Sequence, residues 1–120
     1  MVITKNSKER EYPLLMKDIT NGHVIYFYKD NYGFDLMDPD PKIMDWRGYG
    51  GLVYFDNSIT LINDSEVQYP KLKRSFSTGA IVLFTGKNEG FAFTGPKTYF
   101  KYWNFGNFTD YNKELTLKNK

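Results

Sequence analysis

The chain repeats itself, and this internal similarity constrains its fold more than any other feature of the sequence. When Tyr12 is placed on Tyr69, residues 12–54 align with residues 69–111 without a gap, and 11 of the 43 positions are identical. We call this match the gapless alignment; composition alone would give roughly two or three identities. In the first copy the identical residues are Tyr12, Pro13, Leu15, Gly22, Phe27, Asn31, Gly33, Phe34, Pro39, Trp46 and Tyr54. Deleting one residue then aligns a further set: Thr60, Leu61 and Asn63 with Thr116, Leu117 and Asn119.

The repeated unit is predicted to consist of short β-strands. Segments 23–29 and 80–85 are β-branched or aromatic on both faces, which is typical of buried strands. Each is followed by a turn containing Asn and Gly and then by a second apolar stretch, which indicates a hairpin. Gly22 and Gly79 precede these strands, where a positive φ is expected. No segment has a sustained helical period, so we expect little helix.

These patterns predict an all-β protein formed by tandem duplication of a unit of about 57 residues. The unit has the size of a small SH3-like barrel or a strongly bent sheet. We expect an N-terminal arm over residues 1–11, with residues 2–4 as a candidate edge strand, a first repeat over 12–64 and a second over 65–120. A domain of about 60 residues buries only about 60% of its unfolded surface. The two repeats are therefore expected to pack together as one compact domain.

The two repeats differ in charge. Residues 12–64 contain four Lys and Arg against eight Asp, whereas residues 65–120 contain nine basic residues against four acidic ones. Charged faces usually serve solvation, but two surfaces of opposite charge also suit two partners or one bipolar partner. The densest basic group is Lys71, Lys73 and Arg74, and strand geometry predicts that Lys71 and Lys73 share a face. This group is the candidate face for nucleic acid as an alternative partner.

Patterns that carry catalysis or bind metals are scarce. The chain has no cysteine, which excludes disulfides and thiolate metal sites and favours a cytosolic location. The single histidine, His23, has no nucleophile or carboxylate partner that spacing identifies. Segment 38–41 lacks the regular ligand series of an EF-hand and is interpreted as a loop stiffened by proline. We predict a protein that is not an enzyme, with no catalytic residues, metal or cofactor, and with no signal segment or membrane span.

The aromatic residues are the better candidates for function. Trp46 and Trp103 match in the gapless alignment, and such a pair is more often core than contact surface. Segment 46–51 is rich in glycine, and Trp, Tyr and Arg dominate the energetics of protein interfaces. We predict that this segment is exposed and binds a partner, while Trp103 is more buried. The predicted partner-binding residues are Trp46, Arg47, Tyr49, Asp38 and Asp40.

The unit reads Tyr-Pro-x-Leu, Gly-x-Ile-Val-Leu-Phe, Gly, Trp, Phe-x-x-Tyr and Leu-Thr-Leu-x-Asn, and it resembles a group of small, largely uncharacterised bacteriophage proteins that carry one such unit. The second repeat matches this motif best, whereas the first departs from it at Tyr26, where the second has Leu83. The matching residues are Tyr69, Pro70, Leu72, Gly79, Ile81, Val82, Leu83, Phe84, Gly90, Trp103, Phe108, Tyr111, Leu115, Thr116, Leu117 and Asn119. The resemblance implies a viral origin and a small β fold, and it supplies no catalytic residue.

A viral origin places the protein in the cytoplasm of the infected bacterium, where phage proteins of this size often bind and redirect or block a host protein. The leading hypothesis is therefore a non-enzymatic accessory protein that binds a host protein, such as a component of a defence system. Inhibition of that host protein is one version of this hypothesis. The step from a viral origin to binding of a host protein is an analogy with other phage proteins and does not rest on a binding site. The first alternative is a small barrel that binds nucleic acid through the basic second repeat and its aromatic residues. The second is a small-molecule or nucleotide site between the repeats. The oligomeric state is left open.

Overall fold

A computed structural model describes residues 12–87, 89–94, 99–101 and 108–119. Every regular element within these residues is a β-strand, which confirms the all-β prediction, and no helix there is long and apolar enough to cross a membrane. The N-terminal arm lies outside the described residues. The strands are β1 (Leu14–Asp18), β2 (Val24–Lys29), β3 (Tyr32–Asp35), β4 (Met44–Asp45), β5 (Leu52–Tyr54), β6 (Ser58–Leu61), β7 (Lys71–Ser75), β8 (Ile81–Phe84), β9 (Glu89–Ala92), β10 (Tyr99–Lys101), β11 (Phe108–Asp110) and β12 (Leu115–Lys118).

Ten of these strands form two antiparallel sheets that have the same strand order. The first sheet runs β4-β3-β2-β1-β5, and the second runs β10-β9-β8-β7-β11. We call residues 12–64 the first half and residues 65–120 the second half. The two halves follow corresponding strand paths, as the internal similarity leads us to expect, with six strands each rather than about five. An origin by duplication and a likeness to SH3-like barrels stay predictions.

The structure places the one-residue deletion earlier than the sequence alignment does. In the first sheet Asp45 pairs with Tyr32. In the second sheet Lys101 pairs with Glu89, which is the counterpart of Tyr32 in the gapless alignment. Asp45 therefore corresponds to Lys101, whereas the gapless alignment matches it with Tyr102, and β5 and β11 show the same shift by one position. The deletion lies in the connection before β4 and β10, where the sequence has no strand pattern to fix the alignment.

One face of each sheet contributes to a single shared core. The buried residues of this core are Leu15, Val24, Tyr26 and Phe34 from the first half and Leu72, Leu83, Phe91 and Phe93 from the second. The ring of Tyr26 contacts the rings of Phe91 and Phe93 edge-on, with centroids 4.9 and 5.0 Å apart. Each half thus buries large aromatic side chains against the other half, because neither sheet can cover this face alone.

β6 and β12 pair with each other rather than with a strand of either sheet. In this ribbon Thr60 lies opposite Thr116, and their hydroxyl oxygens are 2.9 Å apart. These two threonines correspond to one another in the repeat, so the pair lies on a pseudo-twofold axis that relates the halves. The apolar side chains of the ribbon pack on the shared core; they are Ile59, Leu61, Leu115 and Leu117.

An asparagine after each ribbon strand binds the backbone of the opposite half. The Asn63 side chain accepts a hydrogen bond from the Leu72 N–H at 2.6 Å and donates to the Leu72 carbonyl at 2.9 Å. Asn119 makes the same two contacts with Leu15, at 2.8 and 2.7 Å. Each Nδ2 also donates to a second carbonyl at 2.9 Å. The two halves therefore hold one another through a reciprocal pair of side chains.

The outer face of each sheet carries a smaller core of its own. In the first half this outer core contains Leu14, Met16, Ile25 and Phe27, with Tyr12, Trp46 and Leu52 packed against it. In the second half it contains Val82, Phe84 and Ala92, with Tyr69 and Phe108 packed against it. Gly22 and Gly79 have φ values of 76° and 74°, which confirms the prediction for these turns.

The reciprocal asparagines should contribute to global stability in equal measure. Replacing Asn63 or Asn119 with Ala removes hydrogen bonds to both polar groups of a central strand residue, so each variant should lose about 1–3 kcal/mol of unfolding free energy in urea titrations. Asn57→Ala is the control, because that side chain is exposed and bonds the next residue only within its own turn. Equal stability of all three variants would show that the reciprocal contact does not hold the halves together.

The buried hydroxyl of Tyr26 should lower the free energy of unfolding. Among the described residues it is buried without a hydrogen-bond partner, and this burial raises the pKa of Tyr26 well above its usual range. Tyr26→Phe removes the unpaired group and keeps the ring contacts, so it should raise the unfolding free energy by about 1 kcal/mol. A loss of stability in the same urea titration would show that the hydroxyl has a partner in solution.

Candidate binding site

The outer face of the first sheet has an open groove of about 250 Å³, which we call the first-half groove. Its lining combines three kinds of side chain. The aromatic residues are Tyr12, Trp46 and Tyr49, and the apolar residues at its base include Leu14, Met16 and Phe27. The charged residues are Asp30 and Arg47. The groove thus joins the predicted segment 46–51 to the outer core of the first half.

Trp46 is half-buried, which corrects the prediction that the whole segment 46–51 is exposed. Its indole nitrogen donates to the Gly33 carbonyl at 3.2 Å, and its ring meets Phe27 edge-on at a centroid distance of 6.2 Å. Trp46 packs inward because its large apolar ring covers the buried residues of the outer core. The exposed part of the segment is residues 47–50, including Tyr49 with 45% of its surface accessible.

Arg47 is held in place by a forked contact with Asp45. The Arg47 Nε lies 3.1 and 3.0 Å from the two carboxylate oxygens of Asp45, and Nη2 lies 2.6 Å from Oδ2. Nη2 also donates to the Tyr32 hydroxyl at 3.0 Å. These hydrogen bonds from Arg47 lower the pKa of Asp45 to about 2. The guanidinium is therefore fixed at the rim of the groove, and Asp45 offsets its charge.

Tyr49 is anchored from below by the carboxylate of Asp18, the last residue of β1. Asp18 is 1% exposed, and its oxygens accept hydrogen bonds from the Tyr49 hydroxyl at 2.5 Å and from the Thr20 hydroxyl and N–H at 2.6 and 2.9 Å. These donors, Thr20 first, lower the pKa of Asp18. In the second half Ser75 stands at the corresponding position and bonds its own turn. The anchoring carboxylate thus belongs to the first half.

The other predicted partner-binding residues do not line this groove. Asp38 and Asp40 are exposed in the connection between β3 and β4, and Asp40 forms an ion pair with Lys42 at 3.4 Å. Trp103 lies outside the described residues, so its predicted burial stays a prediction.

A second groove, of about 380 Å³, lies on the second half beside residues 65–68, and we call it the second-half groove. Its lining includes Tyr69, Lys71 and Lys73, which are the counterparts of Tyr12, Leu14 and Met16. Lys71 and Lys73 share a face, as predicted, but the groove also contains Glu66 and Asp110.

These acids reduce the positive charge that nucleic acid would meet there. The Lys73 Nζ lies 3.4 Å from the Asp110 carboxylate, and the Lys71 Nζ donates to a backbone carbonyl. Arg74 is exposed, but strand alternation puts it on the opposite face of β7, and it does not line the second-half groove. The three residues predicted as a nucleic-acid face are therefore divided between two faces.

Sequence reasoning did not find three residues of the first-half groove and its support: Tyr12, Asp30 and Asp18. Tyr12 donates a hydrogen bond to Asp30 across the groove at 3.0 Å, although the two residues are 18 positions apart. In the sequence Tyr12 stands out only because the same residue occurs at the equivalent position of the second repeat. A structural role would explain that identity equally well. The partner of His23 was also missed: its Nδ1 lies 2.6 Å from the Asp35 carboxylate, because β2 and β3 pair in register.

Within the described residues no group of three acidic or histidine side chains could hold a metal ion. Comparison with known proteins finds no family model, no curated protein and no solved structure that matches the chain.

The free energy of unfolding should fall at acidic pH, because the two carboxylates that hold segment 46–51 become protonated. The folded-state pKa values of Asp18 and Asp45 are lowered, so both groups favour the folded state above the unfolded Asp pKa of about 3.9. This contribution is lost as the pH falls from about 4 toward 2. Urea midpoints measured between pH 7 and pH 3 should decline less steeply in Asp18→Asn than in the wild type. Parallel curves for the two proteins would contradict the role of Asp18.

Proposed function

We propose that this chain is an accessory protein of bacteriophage origin that binds a host protein through the first-half groove and segment 46–51. Inhibition of that host protein, for example of a defence component, is the expected consequence of occupying its surface. The viral setting comes from the resemblance of the repeated unit to phage proteins. The binding mode is supported by the groove itself, because it places a tryptophan, a tyrosine and an arginine together at an accessible surface.

The observation that carries the proposal is the set of hydrogen bonds that hold the large side chains of this segment. Arg47 is fixed by Asp45, Tyr49 by Asp18 and Trp46 by the backbone of β3. Exposed loops usually lose conformational freedom when they bind, and this lowers affinity. A segment whose large side chains are already held by hydrogen bonds loses less, so it is preorganised for a partner. Nothing in the outer core requires Arg47 to be fixed in this way.

Apolar side chains flank the segment and extend the surface available to a partner. Met44 on β4 is 53% exposed, and Val53 and Tyr54 on the edge strand β5 are 44% and 54% exposed. Such side chains beside an aromatic groove are typical of protein interfaces, where an apolar centre is surrounded by polar groups.

The partner should be lost when the exposed anchors are removed. In affinity capture from a bacterial lysate treated with nuclease, Arg47→Ala combined with Tyr49→Ala should weaken binding about 30-fold or more, because interface anchors of these types dominate affinity. The matched control is Lys71→Ala combined with Lys73→Ala, which alters the second-half groove and should keep the partner. A thermal melt of both variants shows that each is folded.

The opposite pattern would overturn the proposal. If the lysine variant loses the captured partner and the Arg47 and Tyr49 variant keeps it, the second-half groove is the binding site. If capture depends on nucleic acid and falls steeply with salt, the protein binds nucleic acid rather than a host protein.

A further inference from the structure

The two grooves share three equivalent strand positions but differ in the side chains at two of them. The first-half groove has Leu14 and Met16 where the second-half groove has Lys71 and Lys73. Because the strand positions are the same, this difference comes from the side chains alone. A ligand that enters the second-half groove therefore meets two lysines and two acids, whereas a ligand in the first-half groove meets apolar side chains at the same two strand positions.

Asp30 supplies a negative charge in the first-half groove that no ion pair with a described residue offsets. Two charged residues line this groove, Asp30 and Arg47, and Asp45 already offsets the charge of Arg47. Among the described residues Asp30 forms no ion pair, and its contact across the groove is the neutral hydroxyl of Tyr12 at 3.0 Å. The first half as a whole has twice as many acidic as basic residues, so its field also favours a cation.

The aromatic lining suits the same kind of ligand. Tyr12, Trp46 and Tyr49 line the groove together, and the rings of Trp46 and Tyr49 meet edge-on at a centroid distance of 5.0 Å. Faces of such rings attract ammonium and guanidinium groups. The chain already makes contacts of this kind nearby, since the Lys29 Nζ lies 4.8 Å from the centroid of the Tyr32 ring.

The volume of the groove limits what can enter it. About 250 Å³ is below the roughly 300–1,000 Å³ typical of small-molecule sites, but it can accept one long side chain. The apolar base formed by Leu14, Met16 and Phe27 would contact the methylene groups of such a side chain, while Asp30 and the rings would contact its charged end.

We propose that the first-half groove binds an arginine or lysine side chain of the partner protein, with Asp30 as the counter-charge and Tyr12, Trp46 and Tyr49 as the surrounding rings. This inference rests on the proposed function and specifies its chemistry: the recognised segment of the partner is basic.

A pair of short peptides tests this directly. The first is a short capped peptide with a central arginine, and the second has citrulline, the neutral isostere of arginine, at that position. Binding is followed by NMR through the indole N–H signal of Trp46, identified by its loss in Trp46→Phe. The arginine peptide should shift this signal and should bind at least about tenfold more tightly than the citrulline peptide, because only the charged end is attracted by Asp30.

Two variants of equal charge separate local recognition from the general field. Asp30→Asn should weaken binding of the arginine peptide at least about fivefold, whereas Asp38→Asn removes the same charge from a residue outside the groove and should have little effect. Thermal melts of both variants show that they are folded.

The inference is overturned if the citrulline peptide binds as well as the arginine peptide, if neither moves the Trp46 signal, or if both variants weaken binding equally. None of these results decides the proposed function, which is tested separately by the loss of the captured protein in the Arg47 and Tyr49 variant.

Discussion

The reciprocal contact between the two halves is the interaction on which the rest of the structure depends. Asn63 binds the backbone of β7 and Asn119 binds that of β1, while β6 and β12 pair along the pseudo-twofold axis. This exchange brings the two sheets face to face, and only then can Tyr26 and Phe91 be buried together. A unit of about 60 residues buries only about 60% of its unfolded surface and is marginally stable by itself. Burial of the shared core requires both halves, because each half supplies part of it.

Because the shared core uses one face of each sheet, the outer faces can carry different side chains. In the first half the outer core is covered by Trp46, and the segment after it is fixed by Asp18 and Asp45. In the second-half groove lysines stand at two positions where the first-half groove has apolar residues. A pseudo-symmetric framework thus carries two different surfaces, and the substitutions that distinguish them do not touch the residues that join the halves.

The geometry of the first-half groove explains why half-burial of Trp46 is compatible with a role in binding. Its indole nitrogen and one edge are used by the structure, through Gly33 and Phe27, while the ring still lines an accessible groove. A side chain held in this way contributes to stability and presents a fixed surface at the same time. Trp46 therefore serves stability and the proposed binding at once, whereas Arg47 and Tyr49 lie at the exposed rim.

The sequence by itself determined the strands, the hairpin glycines and the correspondence of the halves, because alternation, turn residues and repeat identity are local signals. The sequence alignment placed the one-residue deletion after residue 54, whereas strand pairing places it before β4, in a connection that has no periodic pattern. Only the tertiary structure decided that Asn63 and Asn119 act across the halves, that Tyr12 meets Asp30 and that Tyr49 rests on Asp18. These pairs are distant in the chain. Their contact depends on the order of the strands and on the sheet face that each side chain occupies, and no local sequence pattern encodes this combination.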